Sequence, residues 1–75
     1  MYYFVTELQT RPDGIVNSTI TTRSSLALGL SLYYQRAAAA VTSEQFTAVA
    51  LTLQNQNGEI ILNDKFDTLY KEAAD

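Results

Sequence analysis

The sequence predicts an α+β fold in the order β-β-α-β-β, an antiparallel four-stranded sheet with one helix packed on a face. Three observations carry that expectation. Two segments rich in aromatic and β-branched residues flank Arg11-Pro12-Asp13-Gly14. Residues 25–41 form a helix-like stretch whose only charge is Arg36. A second pair of apolar segments then flanks Asn57-Gly58, a tight-hairpin signal because both residues tolerate positive φ.

Residues 2–9, Tyr-Tyr-Phe-Val-Thr-Glu-Leu-Gln, read as the first strand. One face carries Tyr2, Phe4, Thr6 and Leu8; the other carries Tyr3, Val5, Glu7 and Gln9 and turns polar as it advances. In the turn that follows, Pro12 presets φ, Asp13 caps and Gly14 accepts positive φ. Residues 15–22 form the second strand of a hairpin. Ser24 and Ser25 are natural N-caps, since a serine oxygen can accept an N–H of the first helical turn. The helix runs to Val41 or Thr42, with Gly29 inside it at a cost of about 1 kcal/mol relative to Ala. Close packing against a neighbouring element would explain that glycine. Residues 46–54 make a third strand with Val49, Leu51 and Leu53 on one face. A fourth runs from Glu59 to Asp64, and the spacing of Phe66, Leu69 and Tyr70 suggests a short C-terminal helical turn.

At about 100° per residue, Leu26, Leu30, Tyr33, Ala37, Ala40 and Val41 share one sector of the helix, with Tyr34 at its edge. That sector is the expected core face. Roughly opposite lie Leu28, Leu32, Gln35 and Ala39, spaced as in helix–helix contacts. Leaving both leucines in water would cost roughly 1.5–3 kcal/mol each relative to burial. The expectation is therefore a homo-oligomer, most simply a two-fold dimer, with Leu28, Leu32, Gln35 and Ala39 in its seam.

The chain of 75 residues reads as a single domain spanning 1–75. A domain this small buries roughly 60% of its unfolded surface and is only marginally stable alone. With neither Cys nor His, it has no disulfide or thiolate metal site and lacks the commonest general base. No metal or cofactor is expected. Five Lys+Arg against eight Asp+Glu give a net charge of −3, without the basic footprint of a duplex-DNA binder. No stretch approaches the ~20 apolar residues of a membrane span, and the N-terminus lacks signal-peptide character. Cytosolic residence is the expectation.

Catalytic chemistry has little to work with. The serines have no histidine partner, Lys65 and Lys71 sit in polar surroundings, and Asp64 with Asp67 is a weak metal pattern. Binding fits better, and Arg23 and Arg36 are the candidate anion contacts. Arg23 precedes the helix start, where the dipole favours an anion; an ordinary exposed side chain is the alternative. Arg36 borders the outer stripe beside Gln35 and Tyr34. Two copies could converge there on a small anionic ligand, with arginine for charge and tyrosine for stacking. A salt bridge from Arg36 to Glu44 or to a neighbour's carboxylate is the alternative.

Several segments resemble small proteins encoded by bacteriophages and prophages of Gram-positive gut bacteria. The likeness rests on the Tyr-rich start, Glu7-Leu8-Gln9, Arg23, Tyr33-Tyr34-Gln35, the run Ala37–Ala40 with Val41-Thr42-Ser43, and Ala48, Ala50 and Gly58. This chain departs from the pattern by lacking charge between Leu26 and Leu32. Small non-enzymatic phage proteins often counter host defences. The resemblance therefore implies an oligomeric anti-defence binder that sequesters a small nucleotide-type signal at subunit interfaces. The alternatives it leaves are a protein-binding inhibitor of a host factor such as a CRISPR effector, or a structural accessory protein.

Overall fold

The computed structural model describes residues 1–43 and 45–67. Strands β1 (Tyr3–Thr10) and β2 (Val16–Arg23) form a hairpin, α1 (Leu26–Thr42) follows, and β3 (Ala48–Asn55) and β4 (Ile60–Asp67) form a second hairpin. The sheet order is β2-β1-β3-β4, antiparallel at every junction. β2 is thus an edge strand, and α1 carries the chain back across one sheet face to reach β3 on the far side of β1. The expected α+β architecture is the observed one.

Local chemistry explains the boundaries. Gly14 takes φ +89° and donates its N–H to Arg11 O, while Asp13 Oδ1 accepts the N–H of Ile15 at 3.0 Å. Ser25 is the N-cap, its Oγ accepting the Leu28 N–H at 3.2 Å. At the second hairpin, Gly58 takes φ +85°. There the side chain of buried Asn55 accepts the N–H groups of Asn57 and Glu59.

The core lies between α1 and one sheet face. It comprises Val5, Leu32, Tyr33, Ala40, Val49, Leu51 and Leu53, flanked by partly buried Tyr3, Leu30, Ala37, Phe46, Leu62 and Phe66. The helix sits close because Gly29 has no side chain. A Cβ there would lie 3.2 Å from Leu53 Cδ1 and 3.3 Å from Tyr3 Cβ.

Three expectations are corrected. Leu32, assigned to an intersubunit seam, is buried in its own subunit's core. Close approach at Gly29 turns the helix by about 60° from the expected orientation, bringing Leu32 inward and leaving Leu26 and Val41 exposed. Phe66, expected in a terminal helical turn, belongs to β4, where it pairs with Val49 and packs on the core. Leu69 and Tyr70 lie outside the described residues.

Candidate functional site

The residues expected to bind a ligand do not form one site within the subunit. Arg23 folds back, its Nη1 donating to Thr22 O at 3.0 Å. Arg36 lies ten residues into α1, about 15 Å along the axis from Leu26. It points into the subunit, where Nη1 meets Glu7 Oε1 at 3.1 Å. Its partner among the described residues is thus a carboxylate of β1. Tyr34 and Gln35 are exposed on the outer helix face with Leu28 and Ala39. The Tyr34 ring meets Tyr33 edge-on, with centroids 5.7 Å apart.

Glu7 is buried on the helix side of β1 and both its oxygens are occupied, because Oε2 accepts from Gln9 Nε2 at 3.1 Å. A small groove of about 90 Å³ runs beside this pair, reaching Ala39, Ser43 and Phe46. Tyr33, buried on the same side of the sheet, donates its hydroxyl to Asp64 Oδ2. Burial first, and the Asp64 carboxylate second, push the Tyr33 phenol well above its usual range. Among the described residues no buried side-chain polar atom lacks a hydrogen-bond partner. Nor could any group of three or more Asp or Glu hold a metal ion. The described surface offers a further candidate for binding.

That candidate is the sheet face turned away from α1. Strand alternation places Phe4, Thr6, Leu8 and Thr10 of β1 there. The register sets Thr22 and Gln54 beside Phe4, Ile20 and Thr52 beside Thr6, Ser18 and Ala50 beside Leu8, and Val16 and Ala48 beside Thr10. None of these residues is charged. Leu8 is 42% exposed, Val16 54% and Ile20 67%, so no described element covers the face. β4 adds Asn63 beside Thr52, Lys65 beside Ala50 and Asp67 beside Ala48. Small side chains at the centre leave a shallow trough of about 290 Å³, lined by Ala50, Leu51, Thr52, Asn63, Asp64 and Lys65.

The strand face carrying Tyr2, Phe4, Thr6 and Leu8 is legible in the sequence, but that α1 leaves it uncovered was not among the expectations. The signal was available. A single helix covers one side of a sheet, and the β1 face carrying Val5 continues into Val49, Leu51 and Leu53 of β3. In comparisons with protein-family models, curated proteins and solved structures, nothing matches the chain.

Proposed function

We propose that the chain is a non-enzymatic accessory binding protein that holds a host protein against the bare face of its sheet. The observation that carries this reading is the uncovered, uncharged face of β1, β2 and β3 beside an interior whose polar groups are all partnered among the described residues. Exposed Leu8, Val16 and Ile20 stand on this face among uncharged threonine, serine and glutamine side chains, and large apolar residues exposed together mark interaction sites. A charge-depleted centre rimmed by polar residues, here Asn63, Lys65 and Asp67, has the composition of a protein–protein interface. The resemblance to phage-encoded proteins makes a host defence factor the partner class, in the host cytosol.

A second reading, sequestration of a small anionic nucleotide, is favoured by the trough over Ala50 and Thr52. There Lys65 could supply the charge and Asn63 and Thr52 the hydrogen bonds. Its volume lies near the lower end of the roughly 300–1,000 Å³ of small-molecule sites. Arg36 is a weaker anion contact than its place in the sequence suggested, because Glu7 already neutralises it.

Phage plating on hosts carrying one defence system each, with the chain expressed in trans, separates the two readings. Ala50→Arg, which puts a charge at the centre of the face, is expected to reduce protection at least about tenfold while thermal stability holds. Lys65→Ala is expected to leave protection intact. Full protection by Ala50→Arg, with loss in Lys65→Ala and thermal stabilisation by a cyclic dinucleotide, would overturn the protein-binding reading in favour of the nucleotide.

A further inference from the structure

The two edges of the sheet are built differently. β4 carries Asp64, Lys65 and Asp67, and its pairing with β3 is interrupted by a register shift at Leu53/Gln54. Edge charges and bulges are the devices that stop a sheet from recruiting another strand. β2 has neither. It is uncharged from Val16 to Thr22, contains no proline, and pairs with β1 through eight consecutive residues without a shift. Its neighbour on the far side is missing among the described residues, and every residue from Val16 to Ile20 is exposed.

The direction of its free backbone groups follows from the hairpin. Arg11 donates to Ile15 O, so Arg11 and Ile15 form a hydrogen-bonded pair. Alternation along an antiparallel ladder then turns the N–H and C=O of Asn17, Thr19 and Thr21 toward β1, and those of Val16, Ser18, Ile20 and Thr22 outward. Among the described residues the recorded contact to this outward row is Arg23 Nη1 on Thr22 O.

We infer that β2 pairs antiparallel with β2 of a second copy of this chain about a two-fold axis at Thr19, joining the two sheets into one of eight strands. A symmetric pairing sets residue numbers against each other with a constant sum, and the sum placing Thr19 opposite Thr19 matches the outward row to itself. Val16 then exchanges hydrogen bonds with Thr22 of the second copy, and Ser18 with Ile20. Four such pairs give about eight bonds, close to the roughly ten of an ordinary interface. Thr19 meets Thr19 on the helix side, and threonine pairs are favourable cross-strand neighbours. No like charges are opposed. At each end Arg23 comes beside Ile15 of the second copy, near the Arg11–Asp13 ion pair of that copy's turn. The shift and charges of β4 keep the outer edges from adding further strands, so assembly stops at two. This pairing does not depend on what the bare face binds.

Sedimentation velocity from micromolar to about millimolar concentration, together with residue-resolved amide exchange, tests the inference. A reversible dimer is expected, with exchange at Val16, Ser18, Ile20 and Thr22 slowed at least about tenfold as concentration rises. Asn17, Thr19 and Thr21, already bonded to β1, are expected to change least. Ser18→Lys sets a charge against Ile20 of the second copy, with the two lysines diagonal neighbours on one face of the seam, and should give a folded monomer by circular dichroism. Ser18→Pro removes an outward donor at an edge position where proline is tolerated, and should do the same. If the proline variant does not fold, the lysine variant decides. A chain monomeric at every concentration, a dimer indifferent to Ser18→Lys, or growth beyond two copies would each overturn the proposal.

Discussion

Gly29 shows how one missing side chain sets the position of a whole element. In an isolated helix Gly29→Ala would gain about 1 kcal/mol from propensity. Here the new methyl would press on Leu53 Cδ1, which can move, and on Tyr3 Cβ, which is tied to the backbone of β1. Overpacking of this kind costs about 1–3 kcal/mol, so the account predicts a net loss of roughly 1 kcal/mol in chemical denaturation. Tyr33 gives a second residue-scale prediction. Its phenol is held above the usual value of about 10 by burial and by Asp64. The protonated form is therefore favoured by folding. That contribution is fully present below pH 10 and is lost as pH rises through the higher folded value. In an absorbance titration one of the five tyrosines should ionise only as the protein unfolds, with stability falling above pH 10. A set of five titrating together near the ordinary value would contradict the Tyr33–Asp64 contact. Close packing at Gly29 and burial of Tyr33 were legible beforehand; their partners were not, because Tyr3, Leu53 and Asp64 are distant in sequence. The same holds for Arg36, read from sequence as an anion contact or as the partner of Glu44 or a neighbour's carboxylate, which the fold brings to Glu7.

At the scale of elements, the strands were legible because their alternation, the Pro12-Asp13-Gly14 turn and Asn57-Gly58 each have a local cause. The facing of the helix was not. An apolar pattern averages over Leu26, Leu30 and Val41, yet the true inward direction passes between Gly29 and Arg36, residues that such an average counts for nothing or against. Two substitutions separate the faces. Leu32→Ala should cost about 2–5 kcal/mol by opening a cavity. Leu28→Glu, at a site 51% exposed, should stay within about 0.5 kcal/mol and leave the oligomeric state unchanged. A Leu28→Glu protein that dissociates while Leu32→Ala stays stable would restore the helix seam expected from sequence.

As a whole molecule, the described residues form two layers, one helix on a four-stranded sheet, and among them a sheet face and a strand edge stay outside the core. No described helix is long and apolar enough to cross a membrane. Composition could show that a chain of 75 residues without Cys or His has little interior chemistry to offer. It could not show which surface was left over, since that depends on where the helix comes to rest. The central claim is that the bare face of β1 and β3 is the working surface. The most direct test is a saturation scan with two readouts, cellular abundance and protection of phage on the responsive host. The account predicts that charged residues at Thr6, Leu8, Ala50 and Thr52 abolish protection while abundance stays near that of the parent. Function-specific loss mapping instead to Leu28, Tyr34, Gln35 and Ala39 of the outer helix, with the sheet face tolerant, would contradict it.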